Sequence, residues 1–497
     1  MRIEQLLSSN HNSTIIDNKG NHDLESVSQH VSAASQLLTH VAPHHQTVAL
    51  IADNSATFVT GLFTILSYGA CAVIIDPFLQ ENAVLSMLET TKTSMICFSG
   101  QMARHLITEN YCKFRAYTLY CLDDMSLRDS GTAIPPAEYL VDNKDLALIL
   151  FSSGTTGLAK GIALSHQAIF SNMAAISDYL KPTFDDRFYI AKSMVHSSTL
   201  TGELLLALST GAQLVVRNPR LPASALFRYI ADDRPSIICM PPALLHFFAI
   251  HENHSECLSS VHTLHISGSM VNRLDMEIIR RRYPDIRLIN AYGLTEAGPR
   301  VSQANIALMT KVTTVGKPIK GVRLQVRRAD GSRCDSSEIG EFYVHTKGLM
   351  AGYVQSGRLY SDCIDSGWLA TGDLGFRDED GDFFITGRAD DMVITGSHNV
   401  LPHEIEQVIM QVNGISDCIV FAVDDDLLGQ RLVCAYTHNA ISDGERQNIP
   451  QSIRRICKEQ LAPYQMPKHF YLWSYIPHND NGKKSRLLAK RKYLGDN

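Results

Sequence analysis

One pattern recurs along the chain and limits its fold more than any other. A short apolar, β-branched run ends in a loop of small or polar residues, and a helical stretch follows. It occurs over residues 45–76, in "LALILFSSGTTG" with the helical "QAIFSNMAAISDYL", in "SIICMPPALLHFFAI", in "TLHISGSM" and in "IRLINAYGLTEAG". Strands that are apolar on both faces and alternate with helices specify parallel sheets covered on both sides. Ligands bind such sheets beyond the carboxyl ends of the strands. The loops after Phe151, Met240, Ile266 and Asn290 are therefore expected to surround one site. Pro241 and Pro242 fall at a strand-to-helix step, where a first-turn proline is tolerated.

Past residue 310 the texture changes to short strands separated by turn signals such as Asp330-Gly331, which suits hairpins or a small β-barrel. Beyond about residue 391 come helix, strand, strand, helix and strand patterns, enough for a small α+β domain. At 497 residues the chain exceeds the roughly 250–300 at which a single core stops growing. The expected fold is α/β: a large N-terminal domain, residues 1–389, of parallel-sheet subdomains plus a small β-barrel, then a smaller mobile C-terminal domain, residues 390–497.

Charge and cysteine content narrow the function classes. Lys plus Arg number 45 against 51 Asp plus Glu, a formal net charge of −6, which supplies no broad field for nucleic acid. Eleven cysteines without a C-x-x-C pair suit reduced thiols in a cytoplasmic protein better than a disulfide framework. "MRIEQLLSSNHNS" has no apolar core of signal-peptide length. The nearly charge-free "FVTGLFTILSYGACAVIID" has about membrane length, yet its flanks read as a buried βαβ unit, so no transmembrane segment is expected. The histidine clusters "HENH" and "HVAPHH" lack metal-ligand spacing, and there is no G-x-S-x-G elbow.

The loop "FSSGTTGLAKG" carries the first chemistry. Ser152, Ser153, Thr155 and Thr156 offer hydroxyls, while Gly154 and Gly157 let backbone approach a ligand closely. Backbone N–H groups in such a turn make an anion-binding concavity, and Lys160 adds a positive charge. A polyphosphate is the natural guest; a flexible turn is the plain alternative. The Walker pattern is absent, which argues against an ordinary P-loop.

At this point the sequence resembles the adenylate-forming superfamily of acyl-CoA synthetases, adenylation domains and firefly-type luciferases. Its signatures follow in order: "FSSGTTGLAKG", "NAYGLTEAG", "GWLATGDLG", "GRADDMVITGSHNVLPHEIE" and "IPHNDNGKKSR", with "TVGKPIKG" and "TKGLMAGY" between. The resemblance implies a two-step reaction. A carboxylate attacks the α-phosphate of ATP in the presence of Mg2+, giving an acyl-adenylate and pyrophosphate, and a thiol then displaces AMP. Like-charge repulsion between the reactants explains the need for cations aimed at the developing charge.

By that resemblance Thr155, Thr156 and Lys160 handle the β- and γ-phosphates, Thr295 the α-phosphate, and Glu296 the metal. Asn290, Ala291, Tyr292 and Gly293 border the nucleotide, with Tyr292 on the adenine face. Asp373 accepts from the ribose hydroxyls, a task suited to an ionised carboxylate, and Arg388 contacts ribose or phosphate. Lys483 bridges the carboxylate and the α-phosphate, with neighbouring Lys484 the competing assignment, and Asp390 occupies the hinge position. His196 resembles the histidine that gates or lines the carboxylate pocket, to which Met240, Ser267, Gly268 and Ser269 add walls. Ser198 stands near where amino-acid-activating domains place an aspartate, and no acid follows until Glu203, which disfavours an α-amino-acid substrate.

The expected function is an acid–thiol ligase that transfers the acyl group to coenzyme A, as a monomer or homodimer. Loading of the phosphopantetheine of an acyl carrier protein is the alternative, since Ser397 follows Gly396 where CoA ligases often have a second glycine. A non-catalytic nucleotide-binding regulator is the alternative from another class, opposed by retention of Lys160, Glu296, Asp373 and Lys483.

Overall fold

A computed structural model describes residues 2–9, 13–41, 47–130, 145–152, 160–190, 192–218, 223–251, 256–306, 311, 313–395, 398–425, 429–438, 443–478 and 484–495. By contacts the chain divides into two compact units, Met1–Leu324 with Val344–Ala370, and Gln325–Tyr343 with Thr371–Asn497. Residue 390, the expected domain boundary, falls inside the second unit.

Among the described residues the first unit holds two nine-stranded sheets. In one, the strands Leu146–Ser152, Cys71–Ile75, Thr47–Ala52, Met95–Ser99 and Thr118–Cys121 lie side by side and parallel. Three of them are buried at every residue, as a sheet covered on both faces requires. The charge-free run is the expected βαβ unit. Ser55 Oγ accepts from Phe58 N at 3.2 Å to cap the helix Ala56–Tyr68, and Gly69, with φ of 90°, ends it. Among the described residues no helix is long and apolar enough to cross a membrane.

The other sheet has a parallel centre of Arg287–Tyr292, Thr263–Ser267, Ile237–Met240, Arg187–Ile190, Gln213–Val216 and Thr14–Asp17. The strand that leads into the "FSSGTTGLAKG" loop therefore belongs to one sheet, while the loops after Met240, Ile266 and Asn290 leave the other. Local sequence shows that a strand is buried; which sheet it joins is set by long-range pairing.

A further sheet of Arg323–Arg327, Gly340–His345, Trp368–Arg377, Ile364–Asp365 and Phe383–Arg388 forms in the region expected to make hairpins or a small β-barrel, with Ile364–Asp365 and Phe383–Arg388 each pairing antiparallel with Trp368–Arg377, and the division between units runs through its residues. In the second unit, Ile415–Asp425 pairs antiparallel with Gly429–His438, which pairs parallel with His469–Leu472. Alternate residues of the first strand serve two cores. Cys418 and Val420 pack in a cluster with Ile405 and Ile453, whereas Ile419, Phe421 and Val423 pack with Ala489.

Candidate active site

Lys160 begins the strand that returns antiparallel to Leu146–Ser152, paired in register with Ser152. The strand pairing thus holds together the two ends of the glycine loop. Residues 153–159, with Ser153, Gly154, Thr155, Thr156 and Gly157, lie outside the described residues, and of Ser152 only the backbone is described. The exposed Lys160 ammonium lies 5.4 Å from the centroid of the Tyr353 ring, within cation–π range. Tyr353 sits on Gly352–Gln355, the strand beside Lys160–Ser165, and its hydroxyl donates to Glu296 Oε1 at 3.0 Å. Glu296 is further fixed through its backbone carbonyl, which accepts from Met350 N at 2.9 Å. Lys160 and Glu296, which come from motifs far apart in the chain, are thus joined through one tyrosine.

The second sheet contributes its carboxyl edge. Register pairs Met240 with Ile266, Ile266 with Asn290, and Ser267 with Ala291, so three loops leave side by side. Tyr292 closes its strand and is buried. Gly293 follows where a Cβ would lie 1.8 Å from the Pro299 carbonyl oxygen, a separation no side chain survives, so the turn into Thr295–Ala297 requires glycine. Asn290 is buried, and its amide donates to the Thr314 carbonyl at 2.8 Å, tying the strand end to a later segment. Met240 and Ser267 are buried, whereas Gly268 and Ser269 are exposed.

His196 stands at the start of a short helix, Ser197–Thr199, that runs into the π-helical turn Leu200–Leu205. Such turns occur often at functional sites. Ser197 Oγ and Thr295 Oγ1 are 2.8 Å apart, which joins the segment of His196 to the motif expected at the α-phosphate. Asn54 holds that segment from the other sheet: its amide donates to the Lys192 carbonyl at 2.9 Å and accepts from Met194 N at 2.9 Å. Glu203, on the π turn, is fully buried and 2.5 Å from Lys192 Nζ. It is therefore committed to a lysine. Burial pushes the Glu203 carboxyl up, opposed by the charges of Lys192 and Arg300.

In the second unit Asp373 and Arg388 are cross-strand partners, and Arg388 Nη1 donates to Asp373 Oδ1 at 3.0 Å. The carboxylate expected at the ribose thus has a cation beside it. Arg388 Nη2 also lies 3.6 Å from Asp390 Oδ2, in the turn Ala389–Asp391. Lys483 lies outside the described residues. Lys484 is engaged: its ammonium donates to the Cys418 carbonyl at 2.8 Å and pairs with Asp417. Those bonds oppose the competing assignment.

Tyr353, Lys192 and Arg300 were not singled out from the sequence. Lys192 in "YIAKSMV" and Arg300 in "AGPRVS" are charges inside apolar or small-residue runs, and that mismatch was the available signal.

A family model described as "AMP-binding enzyme" matches residues 13–354, and one described as "AMP-binding enzyme C-terminal domain" matches residues 404–483. The chain belongs to the AMP-binding enzyme family. It is 26% identical over 472 residues to the 2-succinylbenzoate–CoA ligase of Bacillus subtilis, covering 93% of this chain and 91% of that one. Its fold is similar to that of the anthranilate CoA ligase AuaEII in complex with anthranoyl-AMP, with a TM-score of 0.87, 20% identity and coverage of 99% and 97%. It is also similar to that of o-succinylbenzoate coenzyme A synthetase from Bacillus subtilis in complex with ATP and magnesium ion, with a TM-score of 0.79, 22% identity and 98% of each chain covered.

Proposed function

We propose that this chain is an AMP-forming acid–CoA ligase. Its substrates are a carboxylic acid, ATP and coenzyme A. In the first step a carboxylate oxygen bonds to the α-phosphorus, the bond from that phosphorus to the α,β-bridging oxygen breaks, and pyrophosphate leaves with the electron pair. In the second a thiolate attacks the acyl carbon and AMP leaves with the electron pair. Membership of the AMP-binding family and the relatives' activities support this reading. The observation that carries it is the pair of side-chain bridges, Lys160–Tyr353–Glu296 and Thr295–Ser197, which link the phosphate motifs to each other and to the acyl-side segment.

In this reading Lys160, with the loop residues Thr155 and Thr156, neutralises the β- and γ-phosphates, and Thr295 orients the α-phosphate. The residues present fit magnesium, a hard cation usually held by one or two carboxylates together with substrate phosphates. Glu296 supplies the carboxylate, aimed by the Tyr353 hydroxyl, and bound Mg2+ would neutralise phosphate charge. Asp373 accepts from the ribose hydroxyls, with Arg388 orienting it. Lys483 stabilises the attacking carboxylate against the phosphate, and Asp390 is the hinge of a mobile segment, residues 390–497. His196 lines the entry of the acid. The eleven unpaired thiols suit a cytoplasmic location.

The test is pyrophosphate release over fatty, aryl and amino acids, with CoA present and absent. Release that requires one acid class and accelerates with CoA is expected. Acceleration by a phosphopantetheinylated carrier protein and not by CoA overturns the choice of acceptor.

A further inference from the structure

Beneath the segment that carries His196, the second sheet buries a cluster of charges that the reaction above does not use. Lys192, just past the strand Arg187–Ile190, pairs with Glu203 at 2.5 Å, and its ammonium is 3.4 Å from Ser198 Oγ. Arg300 reaches the same place from the other side. A Cβ built on Gly202 would lie 3.5 Å from Arg300 Nη2. The Arg300 backbone is pinned by Asn172, which donates to its carbonyl at 2.7 Å and accepts from its N–H at 3.1 Å.

The bonding there is incomplete. Arg300 is only 3% exposed, and its Nε and Nη2 donors have no hydrogen-bond partner among the described residues. The same holds for the Thr199, Thr201 and Ser267 hydroxyls, for His265 Nδ1 and for both Glu203 carboxylate oxygens. Buried polar groups are normally satisfied, and this many unpartnered ones leave room for a polar guest, with the two open Arg300 donors calling for an acceptor. The charges make the same demand. Two cations face one carboxyl, while burial and those cations hold His265, whose other ring nitrogen is 2.8 Å from the Tyr179 hydroxyl, well below the ordinary range and hence neutral. The formal excess is at least one positive charge whichever form Glu203 takes. A buried cation without a counter-charge is strongly unfavourable.

Position names the guest. Ser198 borders the cluster, and its neighbour Ser197 touches Thr295, the α-phosphate residue of the proposed reaction. The cluster thus lies on the acid's side of the reacting centre, one residue step from it. The reacting carboxylate must stay at the phosphate, so the anion received here is a second one. We infer that Arg300 and Lys192 form a subsite for a distal anionic group of the acid, and that the substrate class is carboxylic acids with an anionic far end, such as dicarboxylates or sulfo-carboxylates. This inference rests on the acid-activation reading.

Acid-dependent ATP–pyrophosphate exchange by the full chain, with Mg2+, tests it on matched pairs: butanoate with succinate, hexanoate with adipate, benzoate with terephthalate, propanoate with 3-sulfopropanoate. The dianionic member of at least one pair is expected to exceed its partner at least tenfold in kcat/KM. Arg300→Met and Lys192→Met should each cut that ratio at least tenfold through KM, with Arg300→Lys restoring part of it. Preference for the monoanion in every pair, or a ratio unchanged in both methionine variants, overturns the subsite while leaving acid activation standing. Exchange with no acid of either kind overturns acid activation itself, and the subsite with it. The wild-type ratio decides the matter even if a variant fails to fold.

Discussion

Glu203 in the first unit and Glu406 in the second are both buried carboxylates, 0% and 4% exposed, in opposite circumstances. Glu406 is fully engaged. Its Oε1 accepts from Val420 N at 2.8 Å and from Arg486 Nη2 at 3.0 Å, and His403 stands 3.5 Å from the other oxygen. Burial would raise its pKa, but Arg486, His403 and Lys484 overcome that and bring it to about 2. Glu203 has one lysine, no aligned hydrogen bond, and beside it an arginine with open donors, so burial prevails and its pKa rises. A closed network holds a fold together; an open one of the same composition is a place for a ligand.

If that contrast is right, neighbouring lysines should behave differently. Lys484 belongs to the closed network, so Lys484→Ala should lower the stability of the second unit and spare adenylation. Lys483→Ala should cut acyl-adenylate formation by about 10²–10³-fold or more, the scale for losing one charge-stabilising donor, yet leave thiolysis of supplied acyl-AMP. Pyrophosphate exchange and urea unfolding on both variants separate the two; equal losses in exchange would erase the distinction.

The next effect is one of stability. Glu406→Gln leaves Arg486 without its buried partner, although Asp391 remains 2.9 Å away, so a loss of about 3 kcal/mol is expected, the lower end for breaking a buried pair. Because folding depresses this carboxyl from 4.5 to about 2, the unfolded chain binds the proton more readily over that interval. Its contribution is complete above about pH 4.5 and is lost as pH falls toward 2. Unfolding followed across that range in wild type and Glu406→Gln should converge at the acid end.

Tyr353→Phe removes one hydrogen bond to Glu296, worth about 1 kcal/mol. It should raise the Mg2+ requirement of adenylation by up to about tenfold with little change in KM for the acid. Titration of the rate with Mg2+ reads this directly. An unchanged requirement would detach Tyr353 from the metal's carboxylate.

These two networks were not equally legible in the sequence. The strand, loop and helix pattern gave the parallel sheets because burial on both faces leaves a local mark. The residues proposed for the nucleotide stand in contiguous motifs, so Lys160, Thr295, Glu296, Asp373 and Arg388 are candidates from the sequence, and the structure joins the first and third of them through Tyr353. Lys192, Glu203 and Arg300 meet only because a strand end, a π turn and a later loop pack together, and no motif spans them. Which strand joins which sheet was hidden for the same reason: pairing is a long-range choice, and the sequence around Phe151 looks like that around Met240.

The central claim is that an organic acid attacks the innermost phosphorus of ATP at this site. It is tested most directly with a substrate acid whose carboxylate carries two 18O atoms, incubated with the full chain, ATP, Mg2+ and CoA. Attack at the α-phosphorus places one 18O in the AMP released and leaves the other in the thioester. Label in inorganic phosphate, with ADP as the nucleotide product, would contradict the account.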